Sequence, residues 1–208
     1  MESDHISNQS NIHTSQEILP LDLVDSHGQI KSTTQLAIRK PTSLHLKTAL
    51  LSYFRYKRQW LAGEEVDDCD VLVIDKKGLV YDIEVKISKS DLWQGEAKKR
   101  KHKDYLTPGV SRFIRYPNYF YICVPSELIE EALKWVEVNN PKYGVIEFNT
   151  WAFNQKHNTT RYWEDITHIK RKAKALDCVI RPKWAYILAR RLSSAVCVFK
   201  QGLCRNIT

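Results

Sequence analysis

The segment CDVLVIDKKGLVYDIEVKIS, residues 69–88, constrains the fold of this 208-residue chain more than any other stretch. Two runs rich in Val and Ile, 69–75 and 79–87, flank Lys76-Lys77-Gly78. β-Branched residues favour strands, and a three-residue loop with glycine at its left-handed position closes a hairpin. That loop pairs Asp75 with Leu79, and counting back pairs Asp70 with Glu84. Side chains alternate along a strand, so Asp82, Glu84 and Lys86 share one face while Ile83, Val85 and Ile87 share the other.

The remaining pattern alternates between helical and extended periods. Apolar residues between Thr42 and Trp60 recur at i, i+3/i+4, which predicts a helix capped by Thr42 or Ser43 and ended by Gly63. Residues 88–106 read as a strongly basic helix, 119–124 as a buried strand closed by Pro125, and 126–138 as a helix capped by Ser126. A strand over 143–148 follows, then helices over 163–174 and 183–200. The expected fold class is α/β, a mixed central sheet flanked by helices, with extra C-terminal helices. Residues 1–40 are polar and acidic and read as a flexible arm; 41–208 form the domain.

Charge narrows the function. The chain carries 32 Lys and Arg against 24 acids, a net +8, and every basic residue lies after residue 30. A basic body of this kind favours a polyanionic partner, because neutralising phosphates releases counterions. The five cysteines are odd in number and form no CxxC, which argues against a disulfide framework or a zinc site. No apolar run approaches the ~20 residues that span a bilayer. A cytoplasmic protein without membrane contact is the expectation.

Two carboxylates facing each other across a hairpin repel unless a cation lies between them. A divalent metal suits the position, since Mg²⁺ accepts one or two carboxylates and keeps several waters. Lys86, from the same face, would orient or deprotonate an attacking water, or neutralise a phosphate. The same three residues also fit the solvent face of an edge strand. Aliphatic residues on the opposite face and the basic segment that follows favour the metal site.

Asp70 followed by Glu84-Val85-Lys86, between two helices, resembles the signature of the PD-(D/E)xK nuclease superfamily. EVKISKSDL (84–92), KHKDYL (101–106), YFYICVP (119–125) and YGVIEF (143–148) more closely resemble MmcB-like DNA repair proteins of that superfamily, over about residues 43–194. The resemblance implies a restriction-endonuclease-like αβββαβ core and a metal-dependent DNA nuclease, or a nuclease-like repair protein. Asp70, Glu84 and the Val85 carbonyl would then bind Mg²⁺ or Mn²⁺, with Lys86 as the catalytic lysine and a homodimer cutting two strands. Two positions depart from the pattern. Cys69 stands where Pro or Ala is usual, and the first helix has no glutamate, leaving Glu65 (or Glu64) as the auxiliary acid.

Lys89, Lys98, Lys99, Lys101, Lys103, Arg112 and Arg115 are the expected contacts to the DNA backbone, because this stretch follows directly on the proposed metal site. Residues 161–208 hold a second basic patch. Trp93, Trp163 and Trp184 could stack on bases, with core packing the stronger reading. The alternative functions are a catalytically silent nucleic-acid-binding module of the same fold and a protein-interaction module.

Overall fold

The computed structural model describes residues 39–66, 68–106, 116–155 and 162–176, together with 185, 187–192 and 195. The arm therefore lies outside the described residues apart from Arg39 and Lys40, as do Arg112, Arg115 and Trp184. Arg39 is already tied to the domain: its N–H donates to Asn154 Oδ1 at 2.7 Å, and its guanidinium lies 5.0 Å over the Phe153 ring.

Thr42 has extended backbone and opens helix α1 (Ser43–Ser52). Its N–H donates to His45 Nδ1 at 3.0 Å, so the predicted cap is present. The helix ends earlier than its periodicity predicts. A π-helical turn over Tyr53–Lys57 closes it, and the chain enters strand β1 (Leu61–Val66), which contains Gly63.

Strands β2 (Cys69–Ile74) and β3 (Val80–Val85) form the predicted hairpin. Gly78 has φ 80°, the left-handed conformation the loop requires. Asp75 accepts the Lys77 and Leu79 N–H groups at 2.8 and 2.9 Å, fixing the turn. Leu72 pairs with Asp82 and Ile74 with Val80, and the same register carried toward the open end sets Asp70 beside Glu84. The predicted register is the observed one.

The expected continuous helix over 88–106 is broken. Asp91–Gly95 forms a π-helical turn, Glu96–Lys98 a 3₁₀ turn, and Lys99 is extended before the short helix α2 (Lys101–Leu106). Strand β4 (Tyr119–Pro125) then lies parallel to β3. Helix α3 (Ile129–Asn139) leads to β5 (Gly144–Phe148), parallel to β4. Short helices α4 (Thr150–Asn154) and α5 (Tyr162–Asp165) precede β6 (Thr167–Arg171). This antiparallel edge strand occupies part of the predicted 163–174 helix. Thr167 and Ile169 are β-branched and pair with Phe148 and Ile146, so sheet pairing overrides a weak helical pattern.

The six-stranded sheet runs β1 to β6 in sequence order. Its first four strands, with α1 and α2, give the order α-β-β-β-α-β. The fold is thus α/β with a mixed central sheet flanked by helices, and described residues 187–192 near the C-terminus are helical.

One face of the sheet buries Val71, Val73, Ile83, Val85 and Ile146 against Leu46, Ala49 and Leu50 of α1. Burying each such aliphatic side chain contributes about 1.5–3 kcal/mol. The other face carries two separate apolar clusters. One joins Phe120, Ile122 and Val145 to Trp135 and Val136 of α3; the other joins Leu72 and Val80 to Leu188. Gly144 allows the closest approach on the α1 side, since a Cβ there would lie 2.3 Å from Tyr121 Cε1.

Candidate active site

Asp82 and Glu84 lie on the face of β3 that carries those two apolar clusters, and both are fully buried. Lys86 extends the same row just past the strand and is buried too. The sequence pattern brought these residues together but gave them a more solvated setting than the sheet allows. A strand in the middle of a sheet covered on both sides has no solvent face.

Asp70 Oδ2 accepts the Val85 N–H at 2.8 Å and lies 4.0 Å from Lys86 Nζ. Asp70 Oδ1 lies 3.4 Å from Lys47 Nζ, which also pairs with Glu65. Glu65 therefore stands at the site's edge, linked to Asp70 through Lys47. Its backbone has φ 52°, left-handed for a residue with a side chain.

Lys86 Nζ lies 3.3 Å from Glu84 Oε2, 3.0 Å from Glu96 Oε2 and 3.9 Å from Asp91 Oδ1. Glu84 also receives the ammonium groups of Lys99 and Lys101, one on each oxygen. Lys101 Nζ continues to Asp82 Oδ2 at 2.9 Å, where the Tyr105 hydroxyl donates at 2.8 Å. The break at Lys99 makes this possible, because one straight helix would spread Lys99 and Lys101 around its circumference. The two lysines expected on a solvated helix are turned inward.

Glu96 carried no signal in the sequence. It is fully buried, with Oε1 2.7 Å from His102 Nε2, while His102 Nδ1 lies 2.9 Å from the Tyr143 hydroxyl. A lone acid within a run of lysines reads as surface, and only the fold reveals that it faces inward.

The cluster sorts its own protonation. Burial pushes Glu84 up, and the charges of Asp82, Glu96 and Asp70 add to this, bringing it to about 7 although Lys101 opposes them. Burial also disfavours ionised Glu96, but the His102 hydrogen bond and Lys86, Lys101 and Lys99 hold it well below the usual carboxylate range. Asp70 is likewise lowered: against its burial act the Val85 N–H, its contact with Glu84, and Lys86 and Lys47. Burial would lower Lys86, yet Glu96 and Glu84 raise it above the ordinary lysine range. Lys86 is therefore an ammonium at neutral pH, suited to orienting or neutralising an oxygen rather than to removing a proton.

A cleft of about 380 Å³ opens beside Asp70, lined by Glu65, Asp68, Cys69, Lys99, Arg100 and Lys101. Among the described residues no group of three His, Cys, Asp or Glu side chains is arranged to hold a metal. A divalent cation here would rest on Asp70 and Glu84, a protein ligand count that Mg²⁺ accepts. The oxygen donors suit a hard cation, and Asp82 Oδ1 is buried without a hydrogen-bond partner among the described residues. The donor types fit a hard cation, which would have to displace Lys99 and Lys101 from the fully buried Glu84 to reach it.

The other expected DNA contacts divide. Lys98 and Lys103 are exposed. Lys89 is exposed and pairs with Glu131 at 2.9 Å. Trp93 donates to Glu131 and packs against the α3 cluster, while Trp163 packs against the α1 core, so both are accounted for by packing.

No family model and no curated protein matches the chain. One solved structure does, the SPO1766 protein of unknown function from Silicibacter pomeroyi, with TM-score 0.50 and 17% identity over 78% of this chain and 91% of that one. At that identity the likeness speaks for a shared fold alone. No helix among the described residues is long and apolar enough to cross a membrane.

Proposed function

We propose that the protein is a metal-dependent DNA nuclease, or a repair protein built on a nuclease fold, with Asp70, Glu84 and Lys86 at its centre. The observation that carries this reading is the convergence of those three side chains beside a cleft lined by Lys99, Arg100 and Lys101 as well as by acids: Lys86 Nζ is 3.3 Å from Glu84 and 4.0 Å from Asp70. Asp70, Glu84 and the Val85 carbonyl would hold Mg²⁺ or Mn²⁺, which when bound polarises a phosphate and lowers the pKa of water. The Lys86 ammonium orients the attacking oxygen and offsets charge on the phosphate. Lys99 and Arg100 line the approach for the backbone, with Lys98 and Lys103 exposed on the same segment. Such contacts give affinity without reading sequence. Cytoplasmic action, and pairing of two copies to cut both strands, belong to the same proposal.

The test is cleavage of mixed DNA substrates in Mg²⁺, Mn²⁺ or EDTA, with Lys86→Ala and Glu84→Gln beside the wild type. Cutting that needs the metal and falls about 10²–10⁴-fold in both variants is the expected result. Equal cutting by all three proteins would refute it.

A silent DNA-binding module is the second reading, and one observation favours it. Lys99 and Lys101 already supply the cations that Glu84 requires. Tight, salt-sensitive DNA binding without cleavage in either metal would select it.

A further inference from the structure

On the opposite face of the sheet, away from the carboxylates, four aromatic rings form a row. Tyr81, second in β3, pairs in register with Tyr119 on β4, with ring centroids 4.7 Å apart and planes 22° apart. Trp60 lies 5.1 Å from Tyr81 at 34°, and Phe54 lies 5.7 Å from Trp60 at 23°. Phe54 is buried, whereas Trp60, Tyr81 and Tyr119 each retain access to solvent. They line a cavity of about 170 Å³ together with Tyr121, Arg58 and Lys172.

Three features distinguish this cavity from an ordinary edge of the core. The cavity is open to solvent and walled by rings, which offers a planar guest apolar contact. Its charged lining is entirely cationic: the Arg58 guanidinium lies 4.7 Å over the Trp60 ring, and among the described residues neither Arg58 nor Lys172 pairs with a carboxylate. The nearby Asp75 is engaged by the Tyr81 hydroxyl at 3.1 Å as well as by its own turn. Finally, Gln59 has φ 56°, a left-handed conformation in a residue with a side chain, in the turn that delivers Trp60. It is the left-handed cap of the helical turn, and the Trp60 N–H donates to the Phe54 carbonyl at 2.9 Å, which seats the Trp60 ring beside Phe54.

A planar aromatic ring bearing negative charge satisfies both the walls and the rim, and in a chain of net charge +8 a nucleotide is the ligand that combines them. We propose that this slot binds the base of a nucleotide, free or within an unpaired stretch of DNA, seated in the cavity against the Trp60, Tyr81 and Tyr119 rings with its phosphate against Arg58 and Lys172. Because Tyr81 and Glu84 project from opposite faces of β3, this site is separate from the carboxylate cluster. A strand held here would be gripped through its bases, which a paired duplex does not offer.

The test is binding to the full chain in EDTA, so that catalysis plays no part and failure of the nuclease reading leaves it intact. The probes are a short oligothymidylate, an abasic strand of equal length, thymidine monophosphate and phenyl phosphate. The oligothymidylate should bind about tenfold or more tightly than the abasic strand, and Trp60→Ala should erase that preference. Arg58→Ala with Lys172→Ala, two exposed changes that leave the core alone, should weaken oligothymidylate binding and reduce its salt dependence. Saturable binding of the monophosphate with little gain from the strand assigns a free nucleotide; the reverse assigns unpaired DNA. Equal affinity for thymidylate and abasic strands with no binding of the monophosphate overturns the proposal. So does a preference that survives both sets of variants, or binding of phenyl phosphate alone.

Discussion

Strand β3 presents two faces, and water reaches neither of them freely. On one, Ile83 and Val85 meet the aliphatic side of α1; on the other, Asp82 and Glu84 meet Lys86, Lys99 and Lys101. Equal burial has opposite energetics on the two sides. The aliphatic face stabilises the fold directly. The ionic face costs several kcal/mol per desolvated charge and holds only while each group keeps its partner. A strand selected for stability alone would be apolar on both faces, and the charged one is the face on which the proposed chemistry rests.

Lys101→Met should sharpen this contrast most. It leaves Asp82 and Glu84 without a shared cation and should cost about 3–5 kcal/mol by denaturant unfolding. A loss as small as that of an exposed ion pair would break the comparison.

The pH dependence should come next. Glu84 sits near pH 7 in the fold against 4.5 in the free chain, so between those values the native state binds a proton that the unfolded chain has released. Its contribution to stability therefore falls as pH rises from 4.5 to 7, by up to about 3 kcal/mol. Glu84→Gln should remove that fall in a series of melting curves. The acid limb set by Glu96 should survive in the variant, because a lowered carboxylate gives stability that is lost as pH drops. A wild-type slope unchanged by Glu84→Gln would contradict the assignment.

On the aliphatic face, Ile83→Val should cost only about 0.5–1.5 kcal/mol and leave the pH profile untouched. The smallest effect belongs to Lys89→Ala. Lys89 pairs with Glu131 at the surface, and its removal should change stability by less than about 1 kcal/mol. A loss comparable to that of Lys101→Met would show that exposure does not separate the two lysines.

The hairpin, its glycine turn and the meeting of Asp70 with Glu84 were legible in the sequence because local turn chemistry sets the register. The depth of the cluster was not. Lys98–Lys103 reads as a charged helix surface, and the extended residue at Lys99 has no strong local signal beyond Gly95 four residues earlier. Strand β1 was hidden because Gly63, Glu64 and Glu65 are weak strand formers at a sheet edge. Strand β6 was hidden because five residues are too few to set a period. Glu96 and His102 become partners only through the fold. The Trp60 row is not legible in the sequence because its rings come from three separate segments.

The order in which charges arrive along the chain bears on how the molecule assembles. The β2–β3 hairpin pairs residues close in sequence, yet it sets Asp70 beside Glu84 while residues 99 and 101 lie outside it. Like charges opposed across strands destabilise a hairpin, and here the first cation to offset them is the hairpin's own Lys86, 3.3 Å from Glu84 and 4.0 Å from Asp70. The crossover that delivers β4 also delivers the other two lysines. Pairing of Glu84 with Lys99 and Lys101 needs that longer loop, so completion of the charged site depends on a less local contact than the hairpin itself.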